Sequence, residues 1–284
     1  MSAAAGLNRE REAWVLVGPG LALLIGGFLF PVGQILILSV MPPEAGLPFW
    51  ANFARFFEDA YYLRVAERTL RLSVIITIAT IVLGFPLAYV MARVGSGLRL
   101  ALLILTVLPL MTSVVIRTFG WIVLLSRGGP VTDLLTWLGL ADRGFALLYT
   151  ETGIVLAMVQ VLLPFMTITI LGVIASIHPH LEEAARTMGC GFWRTLRHVV
   201  LPLSVPGIVS GSLLVFALSI SSFVTPSLVG GVRLPVLAWS IYQQATSTLD
   251  WHFAAAQSVM LLLAVMLIVL PYLALMRRGT RAKG

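Results

Sequence analysis

Charged residues cluster along this chain, and the stretches between the clusters are long and apolar. No Asp, Glu, Lys or Arg occurs in Ala13–Pro43, Leu72–Ala92, Thr152–Leu181, His198–Val232 or Trp251–Met276, and in Leu100–Ser126 only Arg117 intervenes. A bilayer core about 30 Å thick takes about 20 helical residues to cross, so each run is long enough. Lipid gives an open backbone N–H or C=O no partner, which leaves helices and closed barrels. Barrels need short alternating strands. The pattern predicts an all-α, polytopic membrane protein with six transmembrane helices. They fall near Trp14–Val40, Thr69–Ala92, Leu100–Gly120, Thr152–Ser176, Val205–Leu228 and Phe253–Met276.

Composition agrees. Of the 284 residues 59% are hydrophobic and 11% charged, and the mean hydropathy is +0.98. A soluble domain carries charge at roughly twice that density. The first run follows Arg9 and Arg11, as a secretory signal would, but it is too long for one and no small-x-small cleavage site follows. It is read as a retained helix. Between the first two spans, Met41–Arg68 mixes charges with Trp50, Phe53, Phe56, Phe57, Tyr61 and Tyr62. It reads as an amphipathic outer element at the interface or against a partner.

Six spans place both termini on one side, and charge chooses which. The N-terminus, the Arg93–Arg99 turn, the Ile177–Ser204 loop and the C-terminal tail hold 11 Arg/Lys against 4 Asp/Glu, while the other side holds 8 of each. Positive excess marks the first set as cytoplasmic. The layout expected is a cytoplasmic tail at 1–13, a membrane domain at 14–276 with a cytoplasmic loop at 177–204, and a basic tail at 277–284. The same excess accounts for the net charge of +7 without nucleic acid. The lone Cys190 has no intrachain disulfide partner.

Ionisable side chains inside spans mark membrane chemistry, and here they are nearly absent. Arg117 is expected to snorkel to the outer interface or to line a pathway. No Ser–His pair falls at a common depth, because His178, His180, His198 and His252 lie in loops or at interfaces. His178 and His180 lack the companions of a metal site, and the adjacent Glu182 and Glu183 diverge on a helix, unlike a glycosidase pair. Prolines 19, 31, 86, 109, 164, 206, 226 and 271 lie in or near spans and favour bends. Ser219, Ser221, Ser222, Thr225 and Pro226 put hydroxyls and a helix break into one span, as the wall of a polar pathway would.

The loop between spans four and five is the most informative segment. Pro179 suits a helix start, Glu182 and Glu183 its positive end, Ala184 and Ala185 its interior, and Gly189 a left-handed stop. A second short helix from Phe192 towards Val199 presents Phe192, Trp193 and Leu196 as docking anchors, with Arg194 and Arg197 free for water or a partner. The run Glu183-Ala184-Ala185, three residues, Gly189, nine residues, Val199, Val200, Leu201-Pro202 resembles the cytoplasmic signature of the permeases of binding-protein-dependent ABC importers. The one departure is Val199, where that signature has Ile.

This resemblance, which extends over all six spans, implies a type I ABC importer permease fold in a bacterial inner membrane. It implies half of a pathway completed by a second permease subunit, in the family's usual pairing a different one, together with two ATPase subunits and an extracytoplasmic solute-binding protein. Glu183, Ala184, Ala185, Gly189, Leu201 and Pro202 would couple motion from an ATPase; none would be catalytic. ATP-Mg would be bound by that ATPase, since a phosphate-cradling loop needs Gly-Lys-Ser/Thr and the only lysine here is Lys283. Ser113–Trp121, Tyr149–Glu151, Leu163–Met166, Pro206–Gly211 and Leu228–Gly231 are similar to the spermidine/putrescine permease subfamily. A polyamine is therefore the expected solute, with ferric iron or phosphonate as the alternative and an ion-coupled secondary transporter as the more distant one. Ser219, Ser222, Thr225, Arg117 and Glu151 are the candidate pathway residues.

Overall fold

The computed structural model describes residues 15–281 except 43–45, 47, 141 and 143, with the backbone alone beyond 272. The expected tail at 1–13, the start at Trp14 and the last residues of the basic tail lie outside the described residues. Among the described residues all regular structure is helical. In chain order these are α1 (Val15–Val40), α2 (Ala51–Glu58), α3 (Ala60–Arg93), α4 (Ser96–Val107), α5 (Val114–Leu125), α6 (Pro130–Trp137), α7 (Glu151–Ser176), α8 (His180–Thr187), α9 (Phe192–Ile220), α10 (Val224–Gly230), α11 (Leu237–Thr246) and α12 (Trp251–Arg281). Six stretches among the described residues are long and apolar enough to cross a membrane: α1, α3, Val114–Trp137, α7, α9 and Trp251–Tyr272. The sequence from Val224 to Thr246 adds an apolar helix pair bent by 84°.

The chain forms two compact units, residues 1–60 with 241–264 and residues 61–240 with 265–284. In the first, α1 is apolar around its whole circumference and leaves Leu16, Leu23, Phe28 and Ile37 exposed, as a helix covered by lipid or another subunit does. The amphipathic outer element resolves into α2, which buries Asn52 and Phe56. The Asn52 amide donates to Met41 O at 3.0 Å. Arg55 pairs with Asp250 at 2.7 Å and lies 4.1 Å above the Phe253 ring.

In the second unit α7 is the centre of the core. It buries Ile154, Met158, Leu162, Met166, Ile170 and Ile174, and its broadest contact is with α9. Gly207 and Gly211 make that contact close: a Cβ at Gly207 would stand 2.9 Å from the Val173 side chain, and one at Gly211 2.8 Å from Met166 Sδ. Small residues substitute here for a hydrophobic drive that lipid does not supply.

Three spans differ from the sequence expectation. The second starts earlier, at Ala60, because helical bonding continues through the charged Arg64–Arg71 turns that a hydropathy rule excludes. The third, expected unbroken over Leu100–Gly120, is interrupted: α4 tightens into a 3-10 turn at Leu108–Met111, Thr112 is extended (φ −92°, ψ 149°), and α5 begins at Val114. Pro109 has no N–H to donate to the ladder, and its carbonyl takes the Thr112 hydroxyl at 2.7 Å in place of a helical partner. The fifth starts at Phe192 rather than Val205 and stops at Ile220 rather than Leu228. The expected second short helix of the loop is thus the first turns of α9.

That continuity passes through a π turn at Leu196–Val200, closed by Leu201 N–H on Leu196 O. The same device occurs in α1, where Phe30 N–H reaches Ile25 O. Each wide turn ends two residues before a proline, Pro202 and Pro31. A proline ring clashes with the carbonyl four residues back, and an i+5 turn moves that carbonyl aside without ending the helix.

Candidate functional site

The α8–α9 hairpin is built from local rules. Pro179 caps α8, and Glu182 and Glu183 occupy its first turn, where the helix dipole favours negative charge. Its end is a Schellman motif: Gly189 N–H donates to Arg186 O at 2.9 Å and Cys190 N–H to Ala185 O at 3.0 Å. Gly189 sits at φ +83°, a conformation that costs an L-residue about 1–2 kcal/mol. Gly191 is extended, and α9 starts at Phe192.

The hairpin has two faces. Glu182, Ala185, Thr195 and Val200 turn inward and are buried. Leu181, Glu183, Ala184, Met188, Phe192, Trp193, Leu201 and Pro202 are exposed, and Leu196 is half-buried. Met188 and Trp193, each 78% exposed, give the outer face an apolar centre. Glu183, Arg186, Arg194 and Arg197, all exposed, surround it with charge. Adjacency of Glu182 and Glu183 separates their environments. The Glu183 carboxylate takes a hydrogen bond from the His180 ring at 2.8 Å, and that bond, then the His180 charge, holds it below the usual carboxylate range. His178 stacks on His180 with ring centroids 4.6 Å apart.

Glu182 instead binds α3. Tyr89 donates its hydroxyl to Glu182 Oε2 at 2.9 Å, and Arg93 donates Nε to Oε1 at 2.8 Å. Sequence reading missed this triad. The only trace of it there is that Arg93 is the charge that ends a long apolar run, four residues after a tyrosine on the same helix.

The candidate pathway residues are dispersed. Arg117 is half-buried, and its partner is a carbonyl of its own chain: Nη1 donates to Pro109 O at 2.6 Å. The guanidinium folds back to the break between α4 and α5. The hydroxyl group does not form one wall either. Ser219 and Thr225 are buried in helix packing, Thr225 Oγ1 lies 3.2 Å from Thr118 Oγ1, and Ser222 donates to Met158 Sδ at 3.5 Å. Ser221 is exposed and bonds back to Ala217 O. The helix break lies at Ser221–Phe223, ahead of Pro226, which occupies the first turn of α10; a missing N–H costs nothing there. Glu151 is already paired, with Arg71 Nη2 and, at 3.8 Å, with Arg68 Nε.

Residues 81–281 match the family described as the binding-protein-dependent transport system inner membrane component. The chain belongs to this family. The match takes in the last third or so of α3, from residue 81 to Arg93, and runs on through the whole hairpin to residue 281. The spermidine/putrescine transport system permease protein PotB of Salmonella typhimurium is 33% identical over 221 residues, 78% of this chain and 77% of that one. The ferric transport system permease protein FbpB of Actinobacillus pleuropneumoniae is 30% identical over 258 residues, 89% of this chain but 37% of that one. Among solved structures, a bacterial alginate ABC transporter in complex with an alginate pentasaccharide-bound periplasmic protein contains a chain that superposes with a TM-score of 0.83. It covers 97% of both chains at 22% identity and so establishes the fold. This permease is accordingly a transport subunit of the ABC importer class, multi-pass in the inner membrane, and its six-span all-α architecture is that of its family.

Proposed function

We propose that this permease forms half of the transmembrane pathway of a polyamine importer, with spermidine or putrescine as the solute. The observation that carries the solute is the 33% identity to PotB over more than three quarters of both chains. The ferric relative supports a second reading, but this chain spans only 37% of it. A carboxylate-lined path is not needed for a cationic solute when an extracytoplasmic binding protein selects it, and the periplasmic protein bound in the alginate transporter supports such a partner.

Energy enters through the α8–α9 hairpin. Its exposed face of Leu181, Ala184, Met188, Phe192 and Trp193, ringed by Glu183, Arg186, Arg194 and Arg197, suits a groove on a separate ATPase subunit that binds ATP-Mg. Apolar anchors inside a polar rim are the usual anatomy of a protein interface. Ala184 is small enough to let α8 seat deeply, and Gly189 makes the turn that presents Trp193. A second, different permease subunit completes the pathway and a second ATPase completes the complex. With the hairpin on the cytoplasmic side, positive excess puts both termini there too. Closure of the ATPases draws the hairpins together and opens the pathway outward, where solute is delivered; reopening releases it inward.

The test is ATP-dependent uptake of radiolabelled spermidine and putrescine into proteoliposomes holding this chain with its partner permease, ATPase and binding protein. Saturable polyamine uptake, abolished by Gly189→Pro, is the expected result. ATP turnover with uptake of ferric iron or a phosphonate instead of either polyamine contradicts the solute assignment and leaves the importer reading in place.

A further inference from the structure

α3 is one helix of 34 residues fastened at both ends to distant parts of the chain. At one end Arg93 and Tyr89 engage both carboxylate oxygens of Glu182 on α8, and Arg93 Nη2 also donates to Ile177 O at 3.4 Å. The Glu182 side chain is 7% exposed. The Phe192 ring meets Tyr89 edge-on at 6.0 Å between centroids, so both arms of the hairpin touch this corner. At the other end Arg71 and Arg68 bind Glu151 at the start of α7. There too Arg68 Nη1 donates to Pro235 O at 3.3 Å, at the bend between α10 and α11. The Thr69 hydroxyl accepts the N–H of Leu237, the first residue of α11, at 2.8 Å.

At 1.5 Å per residue the two clamps on α3 lie on the order of 30 Å apart. The helix between them is continuous, Pro86 removing one bond of the ladder without ending it. A stiff rod held at both ends delivers a displacement of one end to the other. By contrast α8 is joined to α7 and α9 only by short non-helical links at Ile177–Pro179 and Met188–Gly191, which let it tilt. The Glu182 triad is what ties that tilt to α3.

We infer that Glu182 is the positioning residue through which movement of α8 passes to α3, and through α3 to the bent α10–α11 segment at the opposite end. The inference rests on the proposed docking of α8 on an ATPase and adds a route that the docking residues do not supply. Coupling of this kind requires both sites to bias one shared element, and α3 is that element.

The measurement is solute moved per ATP hydrolysed, in proteoliposomes containing the full complex. Glu182→Gln keeps the shape and an acceptor for Tyr89 but loses the charge pair. It is expected to lower the ratio by about five-fold or more, the range of allosteric coupling terms, while the complex still assembles. Combining Glu182→Arg with Arg93→Glu restores most of the ratio, which a residue acting only as filler does not do. Tyr89→Phe keeps the ring against Phe192, removes one hydrogen bond and lowers the ratio by about two-fold; it decides the matter if Glu182→Gln does not assemble. An unchanged ratio in these variants overturns the proposal, as does a parallel fall of hydrolysis and transport at constant ratio. A wild-type chain that binds no ATPase overturns the docking reading and this proposal together. A coupled wild type with an unaltered Glu182→Gln overturns this proposal alone.

Discussion

Thr118 and Thr225 face each other hydroxyl to hydroxyl, 3.2 Å apart, from helices that each restart just after an interruption. Thr118 on α5 follows the Thr112 break and Thr225 on α10 follows the Ser221–Phe223 break, and both are buried. Thr118 also donates to Val114 O at 2.7 Å, which leaves Thr225 as the donor between the two. The contact pins two helices to one another just past the breaks that precede them.

Replacing either threonine by valine keeps the volume and removes the contact. Thr118→Val and Thr225→Val are each expected to lower thermal stability in detergent by about 1 kcal/mol. The double variant should cost less than the sum, with a coupling of about 0.5–1 kcal/mol. Strict additivity would show that the two hydroxyls do not act on each other.

The close approach of α9 to α7 makes Gly207 intolerant of bulk. Gly207→Leu drives a side chain into Val173 and Ile170, whose Cα stands 3.3 Å from the position of a Cβ. Overpacking of this kind costs about 1–3 kcal/mol. Gly97 on α4 has no neighbour within 4 Å, so Gly97→Ala is expected to hold or raise the melting temperature through helix propensity. Fluorescence-detected melts of the two purified variants check both statements.

Glu183 has its carboxyl group held below the usual range by the His180 hydrogen bond and charge. A depressed carboxylate contributes stability that is present above the ordinary carboxylate range and is lost as pH falls through its lowered value. His180→Ala removes the cause, so any acid-dependent loss that Glu183 governs moves to higher pH. The check is ATPase binding by the wild-type and His180→Ala permease as pH is lowered: the variant's midpoint is expected at higher pH, and coincident curves would contradict the pairing.

Because Glu151 is shared by Arg68 and Arg71, its charge is already answered within the chain. Glu151→Gln is expected to leave the KM for a cationic solute within about two-fold. It should cost less than about 1 kcal/mol of stability, as partly exposed ion pairs do. A ten-fold or larger rise in KM would instead make Glu151 a solute contact.

Hydropathy made the number of spans and the hairpin legible, because both depend on runs of like residues and on local cap chemistry such as Pro179 and Gly189. What it left hidden depends on partners distant in sequence. The break at Thr112 becomes visible only once the Thr112 hydroxyl and Arg117 have both settled on the Pro109 carbonyl. Burial of Glu182 and exposure of Glu183 follow from where Arg93 stands, 89 residues earlier. The apolar run His198–Val232 concealed the helix end at Ile220, because Ser221 and Ser222, which follow it, cost little hydropathy. Charges at Arg64–Arg71 hid the opposite case, a helix that continues through them. A polar pathway wall was legible only as composition, and the structure spends most of those hydroxyls on packing.

Site-specific cross-linking tests the central claim most directly. With Cys190 replaced by serine, single cysteines at Ala184, Met188 and, as a control before the opposite end of α7, the exposed Leu140 would be probed in the assembled complex with a short thiol-to-amine reagent. Cross-links from Ala184 and Met188 to a separate ATPase subunit are expected, with nucleotide changing their yield, and none from Leu140. An assembled complex that transports solute yet gives no cross-link from either α8 position would contradict coupling through this hairpin.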